Sequence, residues 1–221
     1  MIIELPKHYF YGPEKNGCAY VRDGILVVQG HINYEELMYN LAYVLKGYET
    51  CAFCGKNLEQ RTRTLDHLYP RNWGGVSIPH NLMPACSRCN SLKGNLTYEQ
   101  FMKFLELKVE DREEYRRTCI EENSKTMQNK SFILPEEWVS YFNTALILPG
   151  IDLDWIEESG NQTIDCYYKQ NGHYPKPIII SANNWVFKGF HILYHAKMHG
   201  IKKVPAIILE NVIRIRNPKH E

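Results

Sequence analysis

The sequence predicts an α+β protein assembled from small units, and three observations carry that expectation. Four of its seven cysteines fall in two Cys-x2-Cys pairs, Cys51/Cys54 and Cys86/Cys89, with 31 residues between the pairs. That arrangement suits a clasped module too small to build its own core. Short apolar runs bounded by turn signals alternate with stretches of helical periodicity in the first and last parts of the chain. No internal repeat or low-complexity tract joins the parts.

Taken in order, residues 18–30 read as two short strands around Asp23-Gly24, a pair that accepts positive φ and so favours a hairpin. Asn33 is positioned to cap a helix whose apolar residues Leu37, Leu41, Val44 and Leu45 recur at helical spacing, with Gly47 ending it. After the second cysteine pair, Thr97 opens a helix from Tyr98 to about Lys108, carrying Phe101, Phe104 and Leu105 on one face. Residues 110–130 are dense in charge and read as a solvated helix or connecting arm. Pro135, followed by Glu136, Glu137 and Trp138, starts a further helix toward Leu146, which Pro149-Gly150 breaks. In the last third a short helix over 164–170 precedes a strand after Pro177, a turn at Asn183-Asn184 and a second strand over 185–187. A helix from Gly189 to about His199, ended by Gly200, and a strand over 204–209 complete the series. The expected divisions are an N-terminal hairpin and helix (1–48), a cysteine module (49–96), a helical connector (97–160) and a C-terminal α/β domain (161–212).

Charge limits the function classes. Lys and Arg number 26 against 25 Asp and Glu, a net of +1, which excludes a basic coat holding nucleic acid by bulk attraction. The positive charge is local: residues 51–95 hold six basic and two acidic residues. No apolar run reaches the roughly 20 residues that span a bilayer. The first 30 residues are interrupted by Glu4, Lys7, Glu14, Lys15 and Arg22. We expect a cytoplasmic protein with no membrane partner, bacterial or phage-encoded. In a chain without an export signal, the paired cysteines read as a tetrathiolate metal site rather than a disulfide framework, and Cys18, Cys119 and Cys166 as buried apolar groups.

Between and after the cysteine pairs lie Asp66-His67, Pro70-Arg71, Gly74-Gly75, His80-Asn81, Asn90 and Lys93-Gly94. Phosphodiester hydrolysis needs a nucleophilic water, charge stabilisation at phosphorus and help for the departing oxygen. A neutral imidazole such as His67 can deprotonate the water. Asp66 and Asn90 offer a carboxylate and an amide oxygen, hard ligands for one Mg²⁺ or Mn²⁺ with positions left open for substrate. Adjacent strand residues point to opposite faces, so Asp66 and His67 can serve one target only at a strand end or bend. A closed tetrathiolate Zn²⁺ leaves no position for water, so the four cysteines read as structural and two distinct metals are expected.

This pattern resembles the HNH endonucleases of the ββα-metal fold, in the subgroup with a four-cysteine zinc site, over about residues 49–96. The resemblance implies a zinc-stabilised ββα-metal module that cuts DNA. Asp66 and Asn90 would be its Mg²⁺ or Mn²⁺ ligands and His67 its general base. Asn81, counted with the catalytic set, would brace the loop that holds His67. Asn90 stands where the family often has His. Arg71 and Lys93 would lie near the site and contact phosphate. A monomer would nick and a homodimer would make double-strand breaks; RNA is left open as a substrate.

The C-terminal third is similar in layout to ParB/sulfiredoxin-like α/β domains: strand, turn, strand, Gly189 at a helix start, then a closing strand. Gly189 and His191 mark an anion site at that helix start, although Ile192 stands where the family has Arg. His191, His195 and His199 recur every four residues with no carboxylate or cysteine beside them, and read as surface or structural histidines. Two rival readings remain: a zinc-finger protein that binds DNA without cutting it, and a nuclease effector of a phage or defence system gated by a nucleotide on the C-terminal domain.

Overall fold

The computed structural model describes residues 2–4, 18–22, 25–29, 35, 37–39, 41–42, 49–59, 63–130, 132–147, 158–181, 184, 186–209 and 213–215. The chain divides into two compact units, Met38–Leu134, and Met1–Leu37 with Pro135–Glu221. The expected Asp23-Gly24 turn, Asn33 cap, Gly47 stop, Pro149-Gly150 break, and Asn183 and Trp185 fall outside the described residues.

The chain begins with strands β1 (Ile2–Glu4), β2 (Cys18–Arg22) and β3 (Ile25–Gln29). Strands β2 and β3 pair antiparallel with Arg22 opposite Ile25, as the hairpin signal required. Residues 35, 37–39 and 41–42 are helical.

In the middle unit β4 (Arg63–His67) pairs antiparallel with β5 (Leu82–Cys86), and three helices follow: α1 (Ser87–Lys93), α2 (Tyr98–Glu106) and α3 (Arg112–Asn129). Pro84 sits within β5, a place it tolerates because a two-stranded ribbon consists of edges, and its carbonyl accepts from Ala52 N–H at 2.9 Å. Helix α2 starts as the sequence indicated: Thr97 accepts from Gln100 N–H while the Gln100 side chain accepts from Thr97 N–H, a capping box. Phe101 and Phe104 of α2 and Cys119 of α3 are buried in one core with Cys51, Phe53, Ala85, Cys89 and Leu96.

Helix α3 is therefore no connecting arm. Its Arg116 donates to the carbonyls of Leu92 (2.5 Å) and Lys93 (3.3 Å), closing the C-terminus of α1, and lies 4.6 Å over the Phe104 ring. The expected connector 97–160 is accordingly split, its first part belonging to the cysteine module.

The C-terminal elements are β6 (Ser140–Asn143), α4 (Glu158–Asn171), β7 (Ile178–Ser181), β8 (Val186–Lys188), α5 (Phe190–Met198), β9 (Lys203–Leu209) and β10 (Ile213–Ile215). Four form a mixed sheet in the order β6-β9-β7-β8, with β7 and β9 parallel, while β10 joins the first sheet beside β3. Ile178, Ile180, Ile192, Leu193, Ala196, Val204 and Ala206 form the core beneath α5. The helix expected over 135–146 is absent: single 3-10 turns at Glu136–Trp138 and Thr144–Leu146 flank β6 instead. Ser140–Asn143 instead pairs antiparallel with Lys203–Ala206 at the edge of the sheet, a long-range pairing that overrides the local helix signal. No helix among the described residues is long and apolar enough to cross a membrane.

Candidate active site and metal centre

Strand alternation sorts the residues of β4. Leu65 packs with Ala42, Leu82 and Tyr39, whereas Thr64 and Asp66 face α1. Two strand residues spaced by two meet two helix residues spaced by three: Asn90 Nδ2 donates to Thr64 Oγ1 at 3.0 Å, and Lys93 Nζ donates to Asp66 Oδ1 at 3.4 Å. The Thr64 hydroxyl donates to Ala85 O at 3.0 Å, which leaves its oxygen lone pairs to accept from Asn90. The amide of Asn90 is thereby anchored by its nitrogen, leaving Oδ1 as its potential ligand atom.

His67 is the last residue of β4, the strand-end position that a joint task with Asp66 requires. Its Nε2 is 3.0 Å from Ser77 Oγ and its ring stands edge-on to Tyr39, with centroids 6.1 Å apart. The turn that follows is held by Asn81, which is fully buried. Asn81 Oδ1 accepts from Tyr69 N–H at 2.8 Å, and Nδ2 donates to the carbonyls of Tyr69 (3.1 Å) and Val76 (2.9 Å). Its backbone carbonyl accepts from Leu68 N–H at 2.8 Å. Asn81 thus fixes both sides of the loop leaving His67.

Lys93 departs from expectation. It is 0% exposed, so it cannot reach a phosphate; its ammonium donates instead to His67 O at 2.7 Å and lies 3.2 Å from Asp66 Oδ2. Four methylenes let Lys93 extend beneath the strand, where the carboxylate and the strand-end carbonyl supply partners. Burial pushes the Asp66 carboxyl up and the Lys93 ammonium down from their ordinary values, each offset in part by the other's charge. Asp66 Oδ2 is buried and, although within ion-pair range of Lys93, makes no hydrogen bond. Arg71 is exposed, at the start of the 3-10 turn Arg71–Trp73.

The four cysteines converge as their spacing indicated. Their sulfurs all lie within 4.8 Å of one another, with Cys54 Sγ and Cys86 Sγ 4.0 Å apart. Tetrahedral Zn–S bonds of about 2.3 Å place sulfurs about 3.8 Å apart, whereas a disulfide needs about 2.05 Å. All four are free thiols. Cys86 Sγ also accepts from Cys89 N–H at 3.4 Å, capping α1 at the end where a helix favours negative charge. The donor set fits a closed structural zinc.

In the C-terminal unit, Gly189 holds φ of 96° at the start of α5, and a Cβ there would come within 2.6 Å of Ile178. His191 Nδ1 is 3.1 Å from Asn161 Oδ1, and its ring packs against Gly160. The histidines of α5 do have a carboxylate beside them, because α4 brings Asp165 to His195 and His199. A partner 30 residues upstream left no local signal.

A search of curated proteins finds no match to the chain. The model of one family, described as HNH endonuclease, matches residues 51–106. The matched segment reaches beyond the expected module to the end of α2, the helix that supplies Phe101 and Phe104 to its core. The match supports a nuclease at family level for residues 51–106, the segment that carries Asp66-His67 at the end of β4 and the four-cysteine cluster.

Proposed function

We propose that this protein is a metal-dependent endonuclease that hydrolyses DNA phosphodiester bonds at the end of β4. The observation that carries the reading is the meeting of Asp66 and the Asn90–Lys93 face of α1 beside the strand-terminal His67, within the segment that matches the HNH family. Asp66 Oδ2, buried without a hydrogen bond, and Asn90 Oδ1 are hard oxygen donors suited to one Mg²⁺ or Mn²⁺. When bound there, such an ion supplies charge stabilisation at phosphorus and at the leaving oxygen.

His67 takes the proton of the attacking water, its ring orientation set by Ser77. The water oxygen bonds to phosphorus as the bond to the 3′ oxygen breaks, and the products are a 5′-phosphate and, after protonation, a 3′-hydroxyl. Asn81 holds the loop that presents His67. Arg71, exposed on the turn after β4, is assigned to contact the backbone phosphate. One site cuts one strand, so a monomer nicks and a homodimer makes double-strand breaks. The test is supercoiled-plasmid cleavage in Mg²⁺, Mn²⁺ or EDTA, with His67→Ala at matched zinc content. Metal-dependent nicking that the variant lacks supports the reading, and equal cutting by both proteins overturns it.

One observation favours a second reading. The Lys93 ammonium already compensates the Asp66 carboxylate, which is what a zinc module that binds DNA without cutting it would retain. Equal DNA retention by wild type and His67→Ala, with no cleavage in any metal, would support it. For the C-terminal unit, the order β7, β8, Gly189, α5, β9 supports the ParB/sulfiredoxin-like reading, with a role in DNA or partner contact.

A further inference from the structure

Helical spacing stacks His195 and His199 one turn apart on α5, and α4 brings a carboxylate against them. Asp165 Oδ1 lies 3.5 Å from His195 Nε2 and 3.7 Å from His199 Nε2, and the three atoms fall within 4.8 Å of one another. The imidazole centroids are 4.4 Å apart, tilted by 32°. Nitrogen and oxygen ligands at about 2.1 Å from a tetrahedral ion stand about 3.4 Å apart, so only small side-chain rotations separate the observed arrangement from a coordination shell. We propose that Asp165, His195 and His199 form a further metal site, distinct from the four cysteines and from Asp66 and Asn90, which takes a divalent transition cation of the Zn²⁺ class and leaves a coordination position open.

The donor set selects the class of ion. Two imidazoles and one carboxylate suit Zn²⁺, Co²⁺ or Ni²⁺, whereas Mg²⁺ and Ca²⁺ prefer oxygen shells. The surroundings orient the ligands. The Tyr174 hydroxyl, on a buried side chain, is 3.0 Å from His195 Nδ1, the outer hydrogen bond that metal-binding histidines use to aim Nε2 at the ion. Lys169 occupies the other carboxylate oxygen, Asp165 Oδ2, at 2.6 Å, and so leaves Oδ1 to the histidines. The three ligands open on a cavity of ≈ 270 Å³ also bounded by Asn161, Gln162, Tyr194 and Met198. A fourth ligand such as water or a small anion has room there.

The experiment uses the full chain with its cysteine site loaded with zinc, dialysed against metal-free buffer and then titrated with Co²⁺. Cobalt held by nitrogen and oxygen gives visible d–d absorption without the near-ultraviolet thiolate charge-transfer band that cobalt at the cysteines would show. The expected result is one added equivalent of Co²⁺ with no thiolate band. His199→Ala and Asp165→Asn should each weaken it at least tenfold. His199 has 53% of its side chain exposed, so its removal spares the fold. Tyr174→Phe should weaken binding about tenfold or more. Absence of the added equivalent in wild type, or binding by His199→Ala and Asp165→Asn as tight as that of wild type, overturns the proposal. Zinc content measured before and after the titration keeps that outcome separate from a failure of the cysteine site, because wild type that retains its zinc and takes up no cobalt places the failure at Asp165, His195 and His199.

Discussion

Lys93 and Asp66 form a buried ion pair whose ammonium also holds the strand-end carbonyl of His67. The nitrogen is 3.2 Å from Asp66 Oδ2 and 2.7 Å from His67 O, and the lysine is wholly shielded from solvent. One side chain therefore links the candidate metal ligand, the candidate base and the helix that carries Asn90. The arrangement is costly, because burial works against both charges.

Removing either partner leaves the other charge uncompensated. Lys93→Met or Asp66→Asn should each destabilise the protein by about 3–5 kcal/mol in urea unfolding without divalent ions, while the double variant should recover most of that loss. Millimolar Mg²⁺ should raise the melting temperature of Lys93→Met more than that of wild type, since the cation replaces the missing ammonium at Asp66. A single variant as stable as wild type in EDTA would show that the pair contributes nothing.

Asn81 makes three side-chain hydrogen bonds across the loop after His67. Asn81→Ala should cost about 3 kcal/mol, from buried groups left unpaired. Asn81→Asp should be worse, because an oxygen acceptor would then face the carbonyls of Tyr69 and Val76. Both variants should slow plasmid nicking with metal content unchanged; a faster or unaltered nicking rate in Asn81→Asp would contradict the bracing role.

Much of this was legible where the cause is local. The Thr97-x2-Gln100 capping box, the pairing of β2 with β3, and the cysteine pairs depend on neighbours within a few residues or on metal chemistry that tolerates intervening sequence. The strand Ser140–Asn143 was hidden because its partner β9 lies some sixty residues later, while Pro135 and two glutamates imitate a helix start. Lys93 looked like a surface cation because nothing in sequence shows that Asp66 and the His67 carbonyl wait beneath it. Asp165 was missed beside the histidines for the same reason: the contact is made between helices.

The Gly74-Gly75 pair has a steric basis that substitution exposes. A Cβ on Gly75 would stand 1.9 Å from Tyr69 O and 2.7 Å from Pro70 O, both backbone atoms of the loop leaving His67. Gly75→Ala should therefore displace that loop, lowering stability and abolishing nicking. At Gly55, with φ of 67°, a Cβ meets nothing within 4 Å, so Gly55→Ala should cost only the left-handed strain of about 1–2 kcal/mol. Thermal melts and plasmid cleavage on the two variants should rank them in that order; equal effects would remove the steric argument.

Zinc at the four cysteines should be a condition of folding for the middle unit. Cys51 and Cys89 are buried in the same core as Phe53, Phe101 and Phe104, so the metal holds together surfaces that two strands and short helices cover only in part. Wild-type protein should carry about one tightly bound zinc at this site. Cys51→Ser should lose it, together with near-ultraviolet circular dichroism from the packed aromatic rings. Limited proteolysis should then cut first within residues 51–106, the matched segment, before it cuts the C-terminal sheet. The C-terminal unit has its own core of Ile178, Ile180, Ile192 and Leu193 and shares none of these ligands, so its resistance should persist. Simultaneous digestion of both parts would mean that the zinc supports the whole chain rather than the cysteine module alone.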